Sequence, residues 1–207
     1  MTVDIGDLAF VVMPALCLAV FVYLLVAVLK GKPMRIDGLC HSLFVEKLRS
    51  PALTVVMKAV SNLASAPFIV GTLLIAFVWV PCRIQVILIS INVGTISAID
   101  QLLKVLVHRS RPQGFCIVGA PGLSFPSGHS MAAVAFYGYG IWLVQSSACG
   151  ISLSVLVNMA LVCVILTIGV SRIYLGVHYA SDVLGGFCLA FVWLVLFVRL
   201  GVRIFAV

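Results

Sequence analysis

Apolar runs long enough to cross a bilayer recur six times along this chain, at residues 8–29, 64–80, 84–107, 131–144, 151–170 and 183–200. A transmembrane helix needs about 20 predominantly apolar residues, so the short second and fourth runs must extend into their flanking polar turns. Hydrophobic residues make up 63% of the chain and charged residues only 9%, far below the share of a soluble domain. The expected fold is therefore all-α: a polytopic membrane helical bundle with about six transmembrane helices, read as one membrane-embedded domain over residues 1–207. Asp4 and Asp7 stand where a cleaved signal peptide would carry Lys or Arg, so the first run is expected to remain as a true span.

Seven cysteines (Cys17, Cys40, Cys82, Cys116, Cys149, Cys163 and Cys188) are scattered without metal-type spacing and mostly within apolar runs. They read as small buried hydrophobes rather than as a disulfide framework. The net charge of +7 forms no basic stripe with interleaved aromatics, which argues against nucleic acid as a partner. Anionic lipid or a phosphate-bearing substrate suits it better.

The longest polar stretch, residues 30–62, follows the first span and is loosely bracketed by Pro33 and Pro51. Asp37 is placed to cap a short helix starting near Gly38. Leu39, Leu43, Val45 and Leu48 are interleaved with His41, Glu46, Lys47 and Arg49, the pattern of an amphipathic segment lying in the membrane interface. It serves either as an ordinary connector or as a substrate-facing rim that catches lipid headgroups.

Against this apolar background, three groups of polar residues need a reason, because charge at a membrane boundary is costly and usually functional. The first is Lys104 with Arg111-Pro112. Asp100 lies one helical turn before Lys104, so the two can pair. The second is Pro126-Ser127-Gly128-His129-Ser130 at the start of the fourth span. Ser127 stands at the N-cap position, Gly128 allows close backbone approach, and the free N–H groups of a helix start attract anions. The third is Ser171-Arg172, then His178 and Asp182, four residues apart, so the carboxylate can fix the imidazole tautomer and stabilise a positive ring. Six antiparallel spans put all three groups on one membrane face.

These residues identify a resemblance. Lys104-x6-Arg111-Pro112, Pro126-Ser127-Gly128-His129 and Ser171-Arg172-x5-His178-x3-Asp182 reproduce the three-part pattern of the type 2 phosphatidic acid phosphatase superfamily. The chain resembles its compact six-helix bacterial lipid phosphatases. The resemblance implies that His178 is the nucleophile, that Asp182 orients and activates it, and that His129 is first general acid and then general base. It implies that Lys104, Arg111 and Arg172 hold the phosphoryl oxygens, with Ser127 and the Gly128 backbone. The chemistry is consistent, since a phosphoryl group in transfer spreads charge that positioned cations stabilise. Arg109 is expected as a supporting cation and Asp100 as the support of Lys104. No cofactor and no metal are expected, since three cations can stand in for the ion. His108 reads as an exposed loop residue, and Gly185-Gly186 as a close helix-packing site.

The expected activity is hydrolysis of a lipid mono- or diphosphate ester through a phosphohistidine, with phosphatidylglycerophosphate, phosphatidic acid or undecaprenyl diphosphate as the substrate class. A lipid phosphotransferase with the same intermediate and an anion or lipid transporter are the alternatives. The resemblance implies a bacterial inner membrane location with an extracytoplasmic site. Counted by the expected topology, ten Lys and Arg fall on the site side and three (Arg83, Arg199 and Arg203) on the other. The positive-inside rule alone would put the site in the cytoplasm.

Overall fold

The computed structural model describes residues 5–147 and 150–205, so Asp4 and Cys149 lie outside the described residues. Among the described residues eight α-helices follow one another: α1 (Ile5–Leu29), α2 (Arg35–His41), α3 (Pro51–Asn62), α4 (Ala66–Trp79), α5 (Arg83–Val107), α6 (Gly128–Ser146), α7 (Ile151–Tyr174) and α8 (Ala180–Phe205). A π-helical turn, Ser42–Lys47, continues α2. The protein is an all-helical integral membrane protein.

Val11–Leu29, Arg83–Val107, Ile151–Tyr174 and Ala180–Gly201 are each long and apolar enough to cross a bilayer. Pro51–Asn62 and Ala66–Trp79, bent by 50°, make a fifth when taken as one broken span. The expected six is not reached on that test, and α6 is the helix that falls short. Its polar start and its Tyr137-Gly138-Tyr139-Gly140 stretch lower its apolarity. Such a helix suits the middle of a bundle: α6 packs against α5, α7 and α8, and Met131, Ala133, Val134, Ala135 and Tyr139 along it are buried.

The core between α5, α6 and α8 is filled by Leu88, Ile96, Met131, Tyr139, Ala190 and Leu194. Polar side chains also tie these helices, because a buried donor in a bilayer must find a partner inside the protein. Asn92 donates to the Ala135 carbonyl at 2.9 Å and accepts from Trp193 Nε1 at 2.9 Å, while the Tyr139 hydroxyl donates to Gln85 at 2.7 Å. A Cβ on Gly186 would lie 2.9 Å from the Ser127 carbonyl oxygen, and one on Gly185 3.0 Å from the Phe125 ring. The expected close packing at Gly185-Gly186 is therefore real, and it seats α8 directly against the loop that leads into α6.

Residues 35–62 depart from the expectation at Asp37. The segment is made of α2, a π-turn and then α3, whose Pro51 follows the N-cap Ser50. Asp37 does not cap its own helix, which starts at Arg35 behind Met34. Its Oδ1 instead accepts from the Ser181 backbone N–H at 2.8 Å, satisfying a free donor in the first turn of α8. Arg49 does the complementary service for α7: Nε and Nη2 donate to the carbonyl of Tyr174, the last residue of that helix, at 3.1 and 2.9 Å. Nη2 also donates to the Phe115 carbonyl at 2.7 Å. A cation on orphan C-terminal carbonyls is favourable both as a hydrogen bond and against the helix dipole. Replacing Arg49 by Gln is expected to cost about 1–2 kcal/mol of stability, read as a lower Tm of the detergent-solubilised protein.

Candidate active site

The site forms where the ends of α5 and α7 meet the starts of α6 and α8. His108 ends α5 in the left-handed conformation (φ 53°), its N–H bonded to the Lys104 carbonyl at 3.0 Å. The chain then turns back across the bundle and carries Arg109 and Arg111 inward. Arg111 is held by backbone carbonyls: Nε to Gly122 at 3.2 Å, Nη1 to Val177 at 2.8 Å and Nη2 to Pro121 at 3.3 Å. Nη1 also lies 3.1 Å from His178 Nε2. Partial burial lowers the pKa of this guanidinium, an effect opposed chiefly by Asp182, and an arginine remains charged at neutral pH regardless.

His178 sits just before α8 and is buried. Its Nδ1 lies 2.8 Å from the Ser124 carbonyl oxygen and 3.5 Å from Asp182 Oδ2. The carbonyl can only accept, so the proton belongs on Nδ1 and the lone pair on Nε2, facing Arg111. Asp182 thus backs the ring at ion-pair distance, while the closer orienting bond comes from a backbone carbonyl that the sequence pattern does not mention. Burial is the main reason the ring is held down to about 4; Asp182 opposes it, and Arg111 and Arg172 add to it. His178 is consequently a neutral imidazole at physiological pH, its Nε2 accepting from Arg111 Nη1.

Lys104 pairs with Asp100 as the spacing predicts, Nζ to Oδ2 at 2.6 Å. Oδ1 of the same carboxylate is buried without a partner. Gly128 is needed here for space as much as for approach to a ligand, since a Cβ on it would stand 2.7 Å from Asp100 Oδ2 and 3.2 Å from Lys104 Nζ. Ser127 occupies the N-cap position of α6 without making a capping bond. Its hydroxyl accepts from Ser130 Oγ at 2.9 Å, and its N–H donates to the Asp182 carbonyl at 3.0 Å. The helix bonds of α6 begin with Met131 N–H, after the amides of Gly128, His129 and Ser130. Arg172 is buried in the last turn of α7, where Nη1 donates to Ser61 Oγ at the end of α3, while its Nε has no partner.

These groups share one cavity of about 1010 Å³. Lys104, Arg111, Gly128, His129, Arg172 and His178 line its polar end. The rest is a cleft between α4 and α5, walled by residues such as Ile69, Leu73, Phe77, Ile87 and Ile91. His129 has the cations Lys104, Arg111 and Arg172 and the ring of His178 in electrostatic reach. A phosphate at this end would meet three cations and two imidazoles, and an alkyl chain attached to it would find an apolar path.

Two expected members stand elsewhere. Ser127 is fully buried and bonded within the α6 start. Arg109 lies behind His178 rather than along the cavity, donating to Asp182 Oδ1 at 2.6 Å, Ser181 Oγ at 2.7 Å and Asp37 Oδ2 at 2.9 Å. Sequence reasoning missed Ser61 as the support of Arg172, Ser124 as that of His178 and Asp37 as that of Arg109. Only Asp37 left a trace, as one of two acids in a basic stretch.

The sequence profile of the PAP2 superfamily matches residues 83–205, which hold every cavity-lining group at the polar end. Phosphatidylglycerophosphatase B of Bacillus subtilis (strain 168) is 31% identical over 146 residues, covering 69% of this chain and 72% of the relative. The crystal structure of a transmembrane PAP2-type phosphatidylglycerolphosphate phosphatase from Bacillus subtilis superposes with a TM-score of 0.81 at 27% identity, covering 93% of this chain and 97% of that one. Aquifex aeolicus LpxE shares the fold at a TM-score of 0.64 and 20% identity, over 77% of this chain and 92% of its own. The chain belongs to the PAP2 superfamily, and it is a membrane phosphatase, a phosphoric ester hydrolase acting on lipid. The tautomer of His178 can be read by NMR of the histidine-labelled protein: at about pH 5.5, where an ordinary imidazole is mostly protonated, its ring is expected to remain neutral with the proton on Nδ1.

Proposed function

We propose that the protein hydrolyses a lipid phosphate monoester of the phosphatidylglycerophosphate type through a phosphohistidine on His178, without a metal ion. One observation carries this reading: His178 Nε2 keeps its lone pair and meets Arg111 at the polar end of a cavity shared with Lys104, Arg172 and His129. The phosphoryl oxygens would be bound by Lys104, Arg111 and Arg172, and the unpartnered Arg172 Nε is a donor awaiting an acceptor. His129 takes up a proton as the phosphate dianion arrives and offsets the three cations; Nε2 then attacks phosphorus, and the bond to the glycerol oxygen breaks as His129 passes that proton to it. The ring, now positive, is stabilised by Asp182 and keeps its Nδ1–H on the Ser124 carbonyl. His129, left without that proton, takes one from water, whose oxygen attacks phosphorus and returns the bonding pair to Nε2. Phosphate leaves. Fixed cations stabilise the charge spread over the equatorial oxygens in both steps.

The acyl chains would lie in the cleft between α4 and α5, with the headgroup at the cations. The names of the two Bacillus relatives favour phosphatidylglycerophosphate over phosphatidic acid and undecaprenyl diphosphate. The expected result with purified protein in EDTA is phosphate release that is fastest on phosphatidylglycerophosphate and lost in His178→Ala. Release that requires an added divalent ion, or survives in that variant, would sink the mechanism.

We further propose that the site faces the outside of a bacterial inner membrane. The excess of basic residues on its face does not oppose this in full, because several of them are spent on internal bonds. Arg49 and Arg109 join Lys104, Arg111 and Arg172 in bonding to groups within the protein. A fluorescent protein fused after Val207 is expected to fold and fluoresce, which requires that end of the chain to be cytoplasmic.

A further inference from the structure

The reading of His178 as the nucleophile leaves unexplained a chain of buried groups behind it. The side chain of Asp182 is 0% exposed, that of Arg109 17% and that of Asp37 11%. The Arg109 fork is divided between the two acids: Nη1 goes to Asp182 Oδ1 at 2.6 Å and Nη2 to Asp37 Oδ2 at 2.9 Å. Asp37 is filled as well, its Oδ1 taking the Ser181 N–H and its Oδ2 the Ser181 hydroxyl, both at 2.8 Å. The Tyr179 ring lies under the guanidinium at 4.1 Å and supports its plane. The other oxygen of Asp182 accepts from the Tyr179 N–H at 2.9 Å and stands 3.5 Å from His178 Nδ1.

From this arrangement we infer that Asp37, carried by the interfacial helix α2, is a positioning residue for the reaction. It acts through Arg109 on Asp182, and so on the His178 ring. The physical reason is the geometry of a shared fork. A guanidinium and a carboxylate pair best bidentately, through two parallel bonds. Were Nη2 free, Arg109 could turn and take both oxygens of Asp182, drawing the carboxylate away from His178 and neutralising it. By occupying Nη2, Asp37 confines Arg109 to one oxygen of Asp182 and leaves Oδ2 directed at the ring. The charge count agrees: two carboxylates share one guanidinium, leaving one negative charge in the cluster. The imidazole becomes positive when Nε2 bonds to phosphorus, so that surplus is matched to the intermediate and not to the resting enzyme. Differential stabilisation of this kind raises kcat rather than substrate affinity. The α2 segment is thereby part of the catalytic support and more than a connector, although it lies outside residues 83–205.

The inference rests on the proposed hydrolysis through His178, and the test separates the two. Full-length Asp37→Asn, Asp37→Glu and His178→Ala are compared with the wild type in detergent, using phosphatidylglycerophosphate as substrate and inorganic phosphate as a competitive inhibitor. In Asp37→Asn, kcat is expected to fall about 10- to 100-fold. KM and the inhibition constant for phosphate should stay at wild-type values, because Lys104, Arg111 and Arg172 are untouched. Asp37→Glu, which keeps the charge, is expected to recover part of the loss. An unchanged kcat in Asp37→Asn, with His178→Ala inactive, would overturn the inference and leave the proposed hydrolysis standing. Parallel loss of kcat and of phosphate binding would overturn it too, since Asp37 would then merely hold the site together. A wild type that releases no phosphate, or an active His178→Ala, would remove the proposed reaction and this inference with it.

Discussion

Arg109 shared between Asp37 and Asp182 is the interaction on which the site side of this protein depends. An ionised side chain removed from water needs an opposite charge and a full set of hydrogen bonds, or it unpairs at a cost of several kcal/mol. Here that demand is met by residues drawn from α2, the loop after α5 and the start of α8. The same shared guanidinium therefore ties three parts of the chain together. Ser181 closes the arrangement from within α8, bonding to both Arg109 and Asp37.

The other helix ends at this face are settled by the same physics. Arg49 covers the carbonyl at the end of α7, Ser61 takes Arg172, and three carbonyls hold Arg111. Of the four buried side-chain atoms without a partner among the described residues, two, Arg172 Nε and Asp100 Oδ1, belong to residues that line the cavity. A donor left open beside a neutral imidazole whose Nε2 meets Arg111 is a state in which a phosphoryl group gains on arrival. Asp37, Arg109 and Asp182 behind the ring are bonded to one another, so a held frame and an open site stand side by side.

Much of this was legible from residue types and spacing. Lys104 pairing with Asp100, the same-face meeting of the three motifs, the close packing at Gly185-Gly186 and the proximity of His178 to Asp182 all follow from helical period and span direction. What spacing left out has a common cause. Asp37 was read as a local cap, and Arg109 as a supporting cation with no partner named, because spacing reports only neighbours on one element. Their partners lie 144 and 73 residues away in sequence. The helix α6 falls short in apolarity for a related reason: apolarity measures what lipid demands of a surface, and α6 presents most of its surface to other helices.

The sequence by itself determined that the chain lives in a membrane, that its helices alternate direction, and that cations and histidines gather at one face. Composition and periodicity suffice for these, since lipid admits few backbone solutions. Only the tertiary structure decided which carboxylate meets which guanidinium, that a backbone carbonyl fixes the His178 tautomer, and that the polar segment after α1 braces the site. Those outcomes turn on bonds a few ångströms long between residues far apart in the chain, and no local pattern encodes such distances.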